Sequence, residues 1–366
     1  MSILIFIIIL LVLVLVHEFG HFFSAKRFGI RVDEFGFGFP PKIFGKKFGE
    51  TEYSLNLLPI GGFVKIFGEN PDDENTNGHD KNRSFVHKAK WKQAIVLFAG
   101  VFMNFVLAWI LFSVGFMSGL PTSVGSEPVG YTASNVNLTV VSVLEKSPAE
   151  MAGLKSGDRI VAISSGDDFV SNITPDTLKS FVLSHGEKKI NFEYVRGKNK
   201  VFKTVIITPT INKTTKEPSI GVSMDMIGTV KLPVFSALKE GIVLTWYVTK
   251  GTVVGLYTLI ADSIRGKGSF ESITGPVGMV GIVGDAYQFG FVYLLSFAGL
   301  ISVNLAIINL LPFPALDGGR LLFLLIEKIK GSRLNPKFAN TANMIGFGIL
   351  ILLMVVVTFH DVIKLF

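Results

Sequence analysis

The opening stretch constrains this chain more than any other. Residues 2–25 are almost continuously apolar, yet the second half of the run carries His17, Glu18 and His21. A helix needs about 20 apolar residues to cross a bilayer core, and this run is long enough. Ionisable groups inside lipid are expensive and persist where they bind or react. The run has no basic n-region and no small-residue cleavage site, so it reads as a retained membrane helix rather than a signal peptide. Charged residues make up 17% of the 366, against about a quarter in an ordinary soluble domain.

Four segments are apolar enough to span: about 2–25, 93–117, 290–316 and 342–359. The expected fold class is a polytopic α-helical membrane protein with four transmembrane helices. Flanking charges give its sidedness. Lys26, Arg27 and Arg31 follow the first span, and Lys88, Lys90 and Lys92 precede the second. Arg320, Lys328, Lys330, Arg333 and Lys337 separate the third from the fourth. Basic loops stay in the cytoplasm, which leaves both termini and the segment between spans two and three outside it. The same placement accounts for the net charge of +7, and no nucleic-acid partner is expected. A stretch at 232–264 is interrupted by Lys239, Glu240 and Lys250 and reads as an amphipathic helix on the outer membrane surface.

Two segments read as β structure. Residues 35–68 are rich in Gly and Phe and alternate in 52–58 and 62–67, a hairpin pattern. Its apolarity suggests that it re-enters the membrane, where strands must pack on protein or line a cavity. It could offer an edge strand to an unwound peptide, or it could only plug the helices. The second β region, 126–228, has half-buried alternation at 189–195 and 201–207. It also contains the run Ser147-Pro-Ala-Glu-Met-Ala-Gly-Leu-Lys-Ser-Gly-Asp158-Arg-Ile, which resembles bacterial PDZ domains. PDZ domains take extended peptides, often C-termini, by strand addition. The expected organisation is therefore a membrane core at 1–125, an extracytoplasmic β-rich α+β PDZ domain at 126–228, a surface helix and linker at 229–285, and a second membrane core at 286–366.

The chemistry concentrates in His17-Glu18-Phe-Gly-His21. Positions i and i+4 share a helix face, so both imidazoles can reach one ion, with Glu18 beside them to take a proton from water. The chain has no Cys, so ligands come from His, Asp or Glu. A catalytic zinc site takes three protein ligands and keeps one position open. The motif lies near the cytoplasmic end of span one, and Asp317 lies at the same end of span three. It follows Pro312 and Pro314, which should break the helix, and precedes Gly318 and Gly319. Asp285, His360 and Asp361 fall at the opposite face by the same count. Asn309, two turns before Asp317, could bond a substrate backbone or an oxyanion, or could join helices. Asn304 carries the same ambiguity. A structural metal site would want four ligands, and a transporter would want ionisable residues across the bilayer. Neither pattern is present in the sequence.

Together, His17-Glu18-Phe-Gly-His21, the PDZ insertion and Asn309-x-x-Pro312-x-Pro314-x-Leu316-Asp317-Gly318 resemble the site-2 protease family of intramembrane metalloproteases, over nearly the whole chain. The resemblance implies that His17, His21 and Asp317 bind Zn2+ and that Glu18 is the catalytic base. It implies that Asn309 helps to hold substrate, with Pro312 and Pro314 beside it. It makes the hairpin, including Gly61, Gly62 and Phe63, a re-entrant element that pairs with substrate. Substrates would be single-pass transmembrane proteins, such as anti-sigma factors or signal-peptide remnants, cut in a bacterial cytoplasmic membrane near its cytoplasmic side. One PDZ domain is present, whereas some members carry two.

Overall fold

The computed structural model describes residues 1–69, 78–197, 201–212, 215–266 and 274–364. Its elements in chain order begin with α1 (Ser2–Arg27), β1 (Val32–Phe48), β2 (Thr51–Ile66) and α2 (Lys90–Ser118). A β-rich stretch follows, with β3 (Leu120–Ser123), β4 (Ser134–Val143), α3 (Pro148–Met151), β5 (Arg159–Ser165), β6 (Asp168–Val170) and α4 (Pro175–Ser184). It continues through β7 (Ile190–Val195), β8 (Phe202–Ile207), β9 (Thr210–Ile211), β10 (Pro218–Ser219) and β11 (Val222–Val230). The chain ends in helices α5 (Val234–Ile264), α6 (Pro276–Phe289), α7 (Phe291–Leu310), α8 (Asp317–Lys330) and α9 (Pro336–Lys364). Two compact units result, one of residues 1–112, 241–283 and 298–366, the other of residues 113–240 and 284–297.

In the first unit α1 ends with Lys26 and Arg27 in its last turn, where cations complement the helix dipole. The C-terminal half of α1 lies beside the N-terminal half of α2, because His21 meets Val96. The two helices are therefore antiparallel. Small residues permit a close approach: a Cβ on Gly20 would collide with the Ala99 carbonyl, and one on Gly100 would sit in the His21 ring. Ala25, Ile30, Val32, Ile66, Phe85, Val96 and Leu97 form the core that ties α1, the sheet and α2 together.

The two alternating stretches expected to be the arms of a hairpin, 52–58 and 62–67, fall in one strand, β2. Its partner is β1, with the turn between them at Gly49, φ +63. Their register doubles back. Phe35 lies opposite both Val64 and Tyr53, Gly36 opposite both Phe63 and Ser54, and Phe37 opposite both Gly62 and Leu55. Residues 35–37 are thus interior to the sheet, while residues 62–66 pair on one side only and form an edge.

Five helices among the described residues are long and apolar enough to cross a membrane, α5 being the one beyond the four expected spans. Lys239 and Glu240 fall near its start, so Gly241 to Thr258 holds a single charge, Lys250. Leu244, Val248 and Leu256 of α5 pack on Ala108, Phe112, Val303 and Ile307 of α2 and α7, and Thr252 donates to Asn304 Oδ1 at 2.8 Å. The helix is therefore not confined to an exposed surface position. Residues 267–273 of the expected linker lie outside the described residues. Asp361 of α9 accepts from the backbone N–H groups of Gly275 (3.1 Å) and Gly278 (2.8 Å), supplying the cap for α6.

The second unit is built on a seven-stranded sheet of order β3-β11-β4-β5-β7-β8, with β6 on β5. Leu138, Ile160, Ile163, Leu178, Phe181, Ile190 and Phe192 form its core. Helix α3 starts at Ser147, whose hydroxyl accepts from Glu150 N, and the chain leaves it through Gly153 at φ +84. Thr174 and Thr177 make a capping box for α4. The fully buried Asp158 accepts from Arg196 Nε and Nη2, both at 2.6 Å, and from Lys155 N at 2.8 Å. Removing one partner of a buried pair leaves an uncompensated charge, which costs about 3–5 kcal/mol. Arg196→Met should lower unfolding stability by about that amount in denaturant titrations of the second unit's transition, and adding Asp158→Asn should restore part of the loss. A change below about 0.5 kcal/mol, the usual surface-substitution range, would mean that the pair does not hold this turn.

Candidate metal centre

His17 and His21 stand one turn apart on α1, and both are buried, each 7% exposed. Their Nε2 atoms are 3.1 Å apart. Asp317 Oδ2 lies 3.1 Å from His17 Nε2 and 3.2 Å from His21 Nε2. Three donor atoms therefore form a nearly equilateral triangle, and they are a group that could hold a metal. Ligands of a tetrahedral zinc ion, at roughly 2.0–2.1 Å from the metal, stand about 3.3 Å from one another. Asp317 Oδ2 is moreover a buried oxygen that receives no aligned hydrogen bond, despite its closeness to both rings. Neutral imidazoles whose lone pairs face a common centre cannot donate to it. The donor set fits zinc on chemistry, burial and spacing.

Each side chain is delivered by a local feature. His21 Nδ1 donates to the Val96 carbonyl at 2.8 Å, which leaves its Nε2 as the lone-pair nitrogen. That carbonyl is reachable because the residue one turn on is Gly100, with no side chain in the way. His17 Nδ1 lies 3.3 Å from the side-chain amide of Asn104. Asp317 is the first residue of α8. Pro312 and Pro314 have no N–H to continue α7, and they occupy the break between α7 and α8. Within that break Ala315 has φ +76, a region that non-glycine residues rarely enter. Asn343 of α9 holds it there by accepting from Ala315 N at 3.1 Å. The close turn at Gly318, where a Cβ would strike the Leu310 and Leu311 carbonyls, completes the reversal.

Glu18, His17, Asp317, Asn309 and Asn104 line one cavity of about 210 Å³. The Val64 backbone comes close to the Glu18 carboxylate, bringing the edge strand beside the cavity. Gly61, Gly62 and Phe63 lie on that strand, Gly62 against Val14 and Leu15 of α1, and they do not line the cavity. Pro312 and Pro314 shape the helix break and do not line it either. Asn304 is engaged by Thr252 and serves helix packing. Asp285 faces Lys155 at 3.4 Å and Asp361 caps α6, so neither is at the centre. Asn104, Asn343 and the Val96 carbonyl were not anticipated from the sequence. A lone amide one turn beyond Gly100, inside an apolar span, was the available signal for Asn104.

Residues 5–353 match Peptidase family M50. The chain belongs to this family. Zinc metalloprotease RasP of Bacillus licheniformis is 32% identical, over 99% of this chain and 98% of that protein. Regulator of sigma-W protease RasP of Bacillus subtilis is 31% identical, over 99% of this chain and 98% of that protein. Among solved structures, the PDZ domain of an SdrC-like protein from Listeria monocytogenes is similar at 18% identity, covering 25% of this chain and 92% of that one with a TM-score of 0.21.

As an M50 peptidase the chain should be intolerant of side chains at Gly100. Gly100→Val should displace the His21 ring, and the metal bound per chain, measured by mass spectrometry on purified protein, should fall by at least about tenfold. Retention of the full metal content would mean that His21 does not depend on this approach.

Proposed function

We propose that this chain is a zinc-dependent intramembrane endopeptidase that hydrolyses peptide bonds within transmembrane segments of single-pass membrane proteins. One observation carries the reading. The helix that bears Glu18 between two buried imidazoles is itself of membrane-crossing length and composition. A peptide bond brought to Glu18 therefore comes from another membrane segment. Family membership and the names of the relatives, which are zinc metalloproteases and a regulator of sigma-W, agree with it.

His17, His21 and Asp317 would hold the zinc, which when bound supplies a Lewis acid that acidifies water and polarises a peptide carbonyl. Glu18 takes the proton of the attacking water and returns it to the departing amide nitrogen. Asn309, on the cavity wall, donates its amide to the substrate carbonyl or to the charge that develops there. A substrate helix hides its backbone in its own hydrogen bonds and must unwind first. The unpaired side of residues 62–66, which include Gly62 and Phe63, replaces those bonds by strand pairing, and Gly61 leads into it.

We place the protein in a bacterial cytoplasmic membrane. His21 and Asp317 sit near the cytoplasmic face, because Lys26, Arg27 and the Lys88–Lys92 cluster flank that end. Helices α1 and α7 both run toward that end, and α2 runs away from it. The segment between α2 and α7 therefore makes an even number of crossings, and α5 adds none on balance. The second unit is the extracytoplasmic PDZ domain. Its groove of about 390 Å³ runs between α4 and β11, lined by Leu178, Val182, Ile220, Val222 and Met224. Over residues 222–225 β11 pairs only with β4, which leaves an edge for an extended peptide C-terminus.

Glu18→Gln should bind zinc at the level of the intact protein yet cut a single-pass test substrate at least about 1,000-fold more slowly, following removal of the proton-transferring group. Mass spectrometry of the products should locate the cut of the intact protein inside the apolar stretch. Normal cleavage by the variant, or a cut confined to soluble segments, would overturn the proposal.

A further inference from the structure

Asn104 belongs to no metal ligand set, yet it is fully buried on α2 and faces the outer nitrogen of His17. Its backbone is pinned as well: Ser302 of α7, itself fully buried, donates to the Asn104 carbonyl at 2.8 Å. The side-chain amide lies 3.3 Å from His17 Nδ1, and its other end, Oδ1, is a buried oxygen without a hydrogen-bond partner. The two ends of an amide are assigned, not observed, so the contact has two readings.

With the amide nitrogen toward the ring, Nδ1 is the acceptor and a neutral His17 carries its proton on Nε2. That proton would point at His21 Nε2 and Asp317 Oδ2, each only 3.1 Å away. With the amide turned over, Oδ1 accepts the Nδ1–H, and the Nε2 lone pair faces the centre. Turning the amide exchanges one buried polar end for the other, so satisfaction alone does not decide. The tautomer decides, because a histidine that ligates through Nε2 must be protonated at Nδ1 and usually gives that proton to a fixed acceptor. His21 already has such an acceptor in the Val96 carbonyl.

We propose that Asn104 is a positioning residue whose side-chain oxygen accepts the Nδ1–H of His17 and holds that ring in its metal-binding tautomer and orientation. This rests on the reading that His17, His21 and Asp317 bind zinc, and it adds what that reading lacks. Helix α2 supplies both outer partners of the imidazole pair, a main-chain carbonyl for His21 and a side-chain oxygen for His17. The two acceptors are Val96 and Asn104, two turns apart on one face of α2, as His17 and His21 are one turn apart on α1.

The test compares the full-length protein with N104L, N104D and H17A in detergent. Zinc affinity is read by competition with a chromogenic chelator. Ligand geometry is read from the visible absorption of the cobalt-loaded protein, and thermal unfolding of the metal-free forms checks that each variant is folded. Leucine fills the space without a polar atom, whereas an ionised aspartate can only accept. N104L should bind zinc about 10–100-fold more weakly with an altered cobalt spectrum, as expected for loss of a histidine's outer partner, while N104D should stay within about threefold of the parent. If N104L does not fold, N104D alone decides. Unchanged affinity in N104L, or a loss in N104D as large as that in N104L, would overturn the proposal. The second outcome would identify the amide as a donor or as packing. A parent protein that binds no zinc, or an H17A variant that binds it as well as the parent, would instead remove the metal-site reading itself.

Discussion

The contact between α1 and α2 at Gly20 and Gly100 is the constraint on which the membrane-embedded part depends. Two helices that carried ordinary side chains there would stand too far apart for His21 to reach the Val96 carbonyl. Without that acceptor the imidazole would be a buried polar ring with no fixed tautomer, a costly arrangement in an apolar bundle. The close approach thus converts an amphipathic accident on α1 into a defined pair of nitrogen donors. It also brings Asn104 within reach of His17 on the same face.

The third donor is delivered by a different device. Pro312 and Pro314 stop α7, and the chain passes through a left-handed Ala315 before restarting at Asp317. Such a conformation costs of order 1–3 kcal/mol and persists only when its surroundings hold it. Asn343 of α9 does so, which gives the last helix a part in placing a residue it does not touch through its own apolar face. The sheet joins in through Val64, whose backbone comes close to Glu18 on a strand with one unpaired edge. Helix and break therefore meet at one cavity, with the edge strand packed beside α1.

The second unit has its own core and its own buried ion pair. Asp158 sits at the turn that the sequence run Lys155-Ser-Gly-Asp-Arg announces, and Arg196 comes from β7's far end to neutralise it. The groove beside α4 exists because β3 and the following Val124 cover only residues 226–230 of β11, leaving residues 222–225 with one paired side.

Much of this was determined by the sequence alone. The i, i+4 spacing of His17 and His21 within an apolar run specifies a helical donor pair, because helix periodicity is local. The charges that flank each span order the helices and single out the end of span three for Asp317. Alternation in 189–195 and 201–207 specifies β7 and β8, and Pro312 and Pro314 specify the break. Tertiary structure alone decided the rest. The doubled register of β1 and β2, the packing of α5 on α2 and α7, the left-handed Ala315 and the partners of the two imidazoles all join residues far apart in the chain. Periodicity says which face of an element is apolar, but not which distant backbone group or amide it will meet. That choice depends on how closely two helices approach, and here the approach turns on the missing side chains of two glycines.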